Sequence, residues 1–268
     1  MIIVATAGWS IPRAQSRRFP GAGTHLQRYA EVLRGVEINT SFYRDHTPDT
    51  YARWARQTPR TFRFAVKVPQ LITHEQRLRA ARRPLEGFLE GISGLGRRLG
   101  PLVVQLPPSL AFDLRTATRF FGLLREQHSG PVVCEPRHAS WFAPRVDALL
   151  AGLQVGRVAA DPAVVPAAAV PGGWPGIAYF RLHGSPRKYW SAYDTAQLAA
   201  WATRLLVLPR ATPAWFVLDN TASGAAAGNA LQMLRLLGTV SGPRAPSAAT
   251  ATGRRLRGAS RRGAKQDG

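Results

Sequence analysis

Four ionisable side chains stand at the ends of apolar runs: Glu37 in VEINTSFY, Lys67 in FRFAVK, Glu135 in CEPRHASW and His183 in YFRLHG. Two carboxylates held in one partly desolvated site take different proton affinities, so Glu37 and Glu135 suit an acid/base pair. Lys67, Arg137 and Arg181 suit the grip of a phosphate or carboxylate, or the stabilisation of developing negative charge. Asn39, Tyr43, His74, Gln105, His138, Asp219 and Asn220 lie close by in the same stretches and complete a candidate substrate-binding set. His74, His138 and His183 also qualify as proton carriers. Trp9, Tyr43, Trp141 and Tyr179 could stack against a sugar ring, although core packing suits at least two of them. The chemistry that results is hydrolysis or isomerisation of a small anionic or sugar-like molecule.

Each residue taken alone has a structural account. Glu37 with Arg181 makes an ion pair, and Gln105 can be a satisfied core amide. The set is harder to explain that way, because each unpaired buried ion costs several kcal/mol. A metal-dependent variant would use Glu37, Glu135, Asp161, His183 and Asp219. There is no local ligand motif such as HExxH, and the basic residues already neutralise the acids, so no metal ligand is assigned and the cofactor is left open. The single cysteine, Cys134, excludes an intramolecular disulfide, and its parity points it away from the acids.

Positioning these residues requires strands that end together. Apolar runs at Met1 to Gly8, Val36 to Tyr43, Phe62 to Lys67, Pro101 to Pro108, Val132 to Cys134, Gly156 to Asp161, Ile177 to Gly184 and Ala214 to Asn220 read as eight strands. Between them, helical spacing recurs at Leu26, Tyr29, Ala30 and Leu33, behind a possible Thr24 cap, and again at Tyr51, Trp54 and Ala55 behind Thr47 and Pro48. Leu85, Phe88, Leu89, Ile92, Leu95 and Leu99 predict a third helix; Leu114, Ala117, Phe121 and Leu124, capped by Asp113, predict a fourth. A fifth helix is expected to start near Ser140 and Trp141. The stretch Pro162 to Gly176 carries too many prolines and glycines for a helix. Leu198, Trp201, Ala202 and Leu205 mark the next, and Ala226 to Leu237 the last, which Gly238 should end.

Alternating βα units of this number fit an α/β protein, a TIM-type (β/α)8 barrel lacking a regular helix after strand six; the alternative is a doubly wound α/β sheet. Strand parity then sends Glu37, Asn39, Lys67, Gln105, Glu135, Arg181, His183 and Asp219 to one interior near the C-terminal strand ends. One domain is expected over residues 1–238, followed by a basic, disordered tail over 239–268. Lys and Arg number 36 against 15 Asp and Glu, a formal charge of +21, so nonspecific contact of that tail with nucleic acid or another polyanion is a further reading, and the third function class is a non-enzymatic polyanion binder. No apolar run is long enough for a membrane span, and the first residues lack the charged and apolar regions of a secretory leader, so a cytoplasmic protein is expected. Oligomeric state is left open.

GWS at Gly8 to Ser10, VEINTSFY, FRFAVKVPQLITH, LGPLVVQLPPSL, CEPRHASW, YFRLHG and VLDNTASGAAAGNA together resemble the YecE-like family, domain of unknown function 72. The resemblance covers Ile3 to about Leu237. It implies a TIM barrel and a cytoplasmic bacterial or archaeal protein, but no reaction. Pro136 replaces an aromatic residue expected between Glu135 and Arg137, and Asp219 precedes Asn220 where the family pattern favours two asparagines.

Overall fold

A computed structural model describes residues 1–240, the side chains of 239 and 240 excepted. The expected tail, apart from its first two residues, lies outside the described residues. In chain order the elements are β1 (Ile2–Thr6), α1 (His25–Val32), β2 (Gly35–Ile38), α2 (Pro48–Arg56), β3 (Arg63–Lys67), α3 (Arg82–Ile92), β4 (Leu99–Gln105), α4 (Leu114–Gln127) and β5 (Val132–Glu135). There follow α5 (Pro144–Gly152), β6 (Val155–Arg157), β7 (Ala159–Asp161), β8 (Gly172–Gly173), β9 (Ala178–Leu182), α6 (Thr195–Leu206), β10 (Ala214–Leu218) and α7 (Ala225–Val240).

The strands form two sheets of mixed α/β architecture, one ordered β1-β10-β9-β7 and the other β2-β3-β4-β5-β6-β8. Every pairing is parallel except β6 with the two-residue β8. The single strand expected at Gly156 to Asp161 is divided: its first half pairs with β5 and its second with β9. Between the halves, the Val158 amide still donates to the Cys134 carbonyl at 2.8 Å. On the other side, β1 and β2 share a single parallel bridge, Ala7 to Glu37. The hydrogen-bond ladders therefore make two sheets and do not run round as one continuous ring.

Alternation of side chains decides what each face buries. One face of the strands, with Val36, Ile38, Phe64, Val66, Leu102, Val104, Cys134 and Phe180, packs against the helices. The opposite face contributes a second cluster from both sheets: Ile3, Ala5, Ala65, Val103, Val133, Val158, Ile177, Tyr179, Trp215 and Val217. Truncating a fully buried phenylalanine such as Phe64 in such a core typically costs about 3–5 kcal/mol.

Local chemistry explains the helix starts. Thr24 and Asp194 form capping boxes with Gln27 and Gln197, Thr47 accepts from the Thr50 amide ahead of Pro48, and Asp113 accepts from the Thr116 amide. Three boundaries differ from the sequence reading. The third helix stops at Ile92; Leu95 falls in a 3-10 segment and Leu99 opens β4. Gly94 and Gly96 are the reason: a Cβ on Gly94 would strike the Pro48 carbonyl of α2, and Gly96 takes φ +50°. A 3-10 turn, Ala139–Phe142, precedes the fifth helix, which starts only at Pro144. The last helix continues through Gly238 to Val240. As expected, Pro162 to Gly176 holds no α-helix, only a 3-10 turn and β8. No described helix is long and apolar enough to cross a membrane.

Candidate functional site

Above the apolar interior cluster, towards the C-terminal strand ends, the same strand faces turn ionic. Arg181 of β9 is completely buried and stands at the centre. Its Nε and Nη2 donate to the two oxygens of Glu37 at 3.0 and 2.7 Å. Its Nη1 donates to Glu135 Oε2 at 2.5 Å, and Nη2 also to Asp219 Oδ2 at 2.9 Å. Four strand ends are thus joined through one guanidinium, whose planar fork of donors suits this role better than an ammonium would.

A second tier fixes the carboxylates. The Tyr179 hydroxyl donates to Glu37 Oε2 at 2.9 Å, and Gln105 Nε2 donates to Glu135 Oε2 at 3.0 Å. Arg137 Nε donates to Glu135 Oε1 at 3.2 Å, while its Nη2 donates to the Tyr189 hydroxyl at 3.0 Å. His183 bridges two acids: Nε2 lies 2.9 Å from Glu135 Oε1 and Nδ1 lies 3.0 Å from Asp219 Oδ2. Both contacts are hydrogen bonds only if both ring nitrogens carry hydrogen or one carboxyl does.

Electrostatics follow from this wiring. Burial opposes ionisation of Glu135, but Arg181, His183 and Arg137 outweigh it and hold the carboxyl well below its usual range. Asp219 is likewise lowered against its own burial, by Arg181 and by the hydrogen bond from His183. Arg181 is raised well above its ordinary value, since Glu37, Glu135 and Asp219 overcome desolvation. Tyr179 is pushed far up by burial and by Glu37, so it donates and does not ionise.

Lys67 behaves differently. It is 5% exposed, and its Nζ sits 3.8 Å from the centroid of the Phe42 ring. Its ammonium makes no hydrogen bond or ion pair with another described residue. Burial, and then the charge on Arg181, lower its pKa to about 8 despite the pull of Glu37, Asp219 and Glu135. His74, edge-on to Phe42 at 4.9 Å, is lowered to about 4 by burial, Lys67 and Arg137, and is neutral at neutral pH. The cluster therefore contains one cation that the acids do not contact.

A cleft of about 490 Å³ opens at the same strand ends, lined by Thr6, Trp9, Asn39, Thr40, Tyr43 and Thr221 among others. Tyr43 is 67% exposed there, and the Asn39 amide oxygen is buried without a hydrogen-bond partner. A larger cleft, about 1220 Å³, lies elsewhere, between α3 and α4. Size alone does not identify a reaction site: Glu135, Arg137 and His183 line only a recess of about 10 Å³, and Asn39, two residues beyond Glu37, is the link between the cluster and the 490 Å³ cleft.

Of the thirteen candidate residues named from sequence, the structure gathers Glu37, Lys67, Gln105, Glu135, Arg137, Arg181, His183 and Asp219 in and around one cluster. Asn39 and Tyr43 line the cleft, and His74 shares the Phe42 ring with Lys67. Two stand apart. His138 caps the 3-10 turn, its Nδ1 accepting from the Ser140 amide at 3.2 Å. Asn220 is buried and ties the loop after β9 to α7 by donating to Ser191 O and Asn229 Oδ1. Asp161 accepts from the Tyr193 hydroxyl at 2.6 Å, outside the cluster. Among the described residues no three His, Cys, Asp or Glu side chains are grouped so as to hold a metal ion. Of the four candidate stacking rings, Trp141 and Tyr179 are core residues, 1% exposed each. Tyr189 escaped the sequence reading because its loop has no periodicity; it lies edge-on to His183 at 5.4 Å.

Comparison with known proteins places the chain. The UPF0759 protein YecE of Escherichia coli K12 is 32% identical over 144 residues, 53% of this chain, and the match spans about half of that relative, 51%. The UPF0759 protein YunF of Bacillus subtilis is 24% identical over 274 residues, covering 88% of this chain and 95% of that one. A DUF72 family protein of Thermotoga maritima superposes with a TM-score of 0.74 at 26% identity, over 89% of this chain and 99% of that one. Another, from Enterococcus faecalis V583, gives 0.75 at 23% identity, over 89% and 96%. The family model described as protein of unknown function DUF72 matches residues 3–252, and the chain belongs to that family.

Proposed function

We propose that this protein is an enzyme, a hydrolase or isomerase, acting on a small anionic or sugar-like substrate at the C-terminal strand ends. On this reading the two sheets act as one barrel of the (β/α)8 type, whose strand-end loops converge on a single mouth. The observation that carries it is the uncoupled Lys67. Glu37, Glu135 and Asp219 are all claimed by Arg181, while the ammonium of the largely buried Lys67 beside them contacts, among the described residues, only the Phe42 ring. A protein that needed only stability would not leave that group there.

The roles then divide differently from a simple pair of acids. Glu37, doubly bound by Arg181 and capped by Tyr179, is a positioning group. Lys67 contacts the substrate's anionic group, or in its neutral form takes a proton, since an amine with a pKa about 8 has an appreciable neutral fraction near physiological pH. Glu135 and His183 form the adjoining proton-transfer pair. Tyr43 and Trp9 offer ring faces beside the Asn39 amide, a combination suited to a sugar ring carrying hydroxyl groups.

The test is thermal-shift and NMR titration of the full chain against a panel of sugar phosphates, small hydroxy acids and neutral sugars. At least one anionic or sugar-like compound should protect the protein, Lys67→Met should abolish the protection, and Tyr43→Ala should weaken it at unchanged melting temperature. Protection that survives Lys67→Met, or absence of any protecting compound, refutes the assignment.

A further inference from the structure

The groove between α3 and α4 carries five arginines against two acids, Asp113 and Glu126. Arg79, Arg82 and Arg83 come from the loop and first turn of α3, and Arg115 and Arg119 lie one turn apart on α4. Arg82 has acidic neighbours, Glu126 at 3.4 Å and Glu86 at 4.0 Å. The side chains of Arg79, Arg83, Arg115 and Arg119 make no hydrogen bond or ion pair with the described residues. Asp113, also at the groove, directs its carboxylate at the Thr116 amide as the cap of α4.

This arrangement opposes the intrinsic preference of α3, whereas at α4 the capping Asp113 meets it in part. A helix N-terminus carries a partial positive charge and favours acidic side chains. Neither α3 nor α4 has an acid in its first turn, and the N-cap of α3, Ala81, supplies no side-chain hydrogen bond, unlike Asp113 at α4. Arg115 and Arg119, at i and i+4, repel each other mildly. The Gln76 amide oxygen, at the same groove, is buried with no partner. The groove is open at about 1220 Å³, so an extended ligand has room.

We propose that this groove binds the phosphate backbone of a single nucleic-acid strand. Guanidinium forks match phosphate oxygens bidentately, and a row of them tracks a polyanion. Phosphates spaced along a strand match the spread of guanidinium forks, and an acidic peptide is the competitor that the polyglutamate arm below decides against or for. No aromatic ring is presented for base stacking, so recognition is independent of sequence. The loops following β3 and β4 put the groove at the same end of the strands as the ionic cluster, on the outer rim.

The experiment uses the full chain and a fluorescent 12-mer of single-stranded RNA, read by anisotropy across a salt series. The combined variant Arg79→Gln, Arg83→Gln, Arg115→Gln and Arg119→Gln is compared with a control of equal charge, Arg53→Gln, Arg56→Gln, Arg97→Gln and Arg210→Gln. The control positions are exposed and lie at the opposite strand ends. Circular dichroism melts verify folding of both. At low salt the groove variant should bind at least about tenfold more weakly than the control. Its slope of log affinity against log salt should be shallower than wild type by about 3, four lost contacts at roughly 0.7 each. Equal weakening in the two variants, no binding by the wild type, or displacement of the RNA by polyglutamate at equal charge concentration overturns the assignment.

Discussion

Two groups of arginines at the same end of this molecule meet opposite surroundings. Arg181 is saturated: three carboxylates from three other strands close around it, and water has no access. Arg79, Arg83, Arg115 and Arg119 stand in an open groove, and Arg83 and Arg115 lie in first helical turns whose dipoles disfavour a cation. The first group holds strand ends in register and contributes specificity more than net stability, because desolvation offsets most of the attraction. The second forms no ion pair within the fold, although Arg79 and Arg115 help to hold the exposed Asp113 carboxyl ionised. Where charge is unbalanced, as at the groove and at Lys67, a ligand is the natural counterpart.

The sharpest way to break this contrast is Arg181→Met. It leaves Glu37, Glu135 and Asp219 buried without their shared cation, and loss of one partner from a buried network typically costs about 3–5 kcal/mol. Urea unfolding should register that loss in the midpoint at little change in slope. A drop below about 1 kcal/mol means that water reaches the cluster and that the contrast with the groove is false.

Lys67→Met should move stability the other way. Its pKa falls from 10.5 to about 8 on folding, so below pH 8 the folded state holds a proton at a cost of about 3 kcal/mol. The sign is fixed by linkage: the unfolded chain binds more protons between pH 8 and 10.5, so wild-type stability rises across that window. The substitution should stabilise the protein by up to about 3 kcal/mol at pH 7, with the advantage gone above pH 10.5. Parallel urea titrations at pH 7 and 10.5 measure the difference. A variant less stable than wild type at pH 7 would make Lys67 a structural cation.

Acid should act in the familiar direction. The folded carboxyls of Glu135 and Asp219 lie below their unfolded values of about 4, so their contribution is complete above that pH and is lost as pH falls further. Asp219→Asn should therefore flatten the decline in melting temperature between pH 5 and pH 3. An unaltered decline would show that the acid sensitivity arises elsewhere.

Much of the cluster was legible beforehand because strand parity is a period-two property of the chain. Once Val36 and Ile38 face the helices, Glu37 must face the interior, and the same step places Lys67, Gln105, Glu135, Arg181 and Asp219. Helix ends were less legible. Leu95 and Leu99 prolong the apolar spacing of α3 by coincidence of period, while the glycines that let the chain close on Pro48 break the helix. Gly238 marked a stop that the helix passes, since a helical glycine costs only about 1 kcal/mol. His138 looked chemical because histidines usually attract that reading, but its partner is the amide two residues on. The arginine groove left no local signature at all: it exists only because two helices from separate βα units start side by side.

The smallest effect is the most discriminating. Arg83→Gln and Arg115→Gln remove cations from the positive ends of α3 and α4, which should leave stability unchanged or raise it by about 0.3–1 kcal/mol each at low ionic strength. Added salt should erase the gain, because screening weakens the unfavourable dipole interaction in the wild type. Both are read from melting temperatures at two salt concentrations. A loss of stability on either substitution would mean that the guanidinium packs or bonds within the fold, and the groove would then belong with Arg181 among the structural charges. A gain, paired with weaker RNA binding by the same variants, leaves ligand contact as the reason for arginine at positions where folding disfavours it.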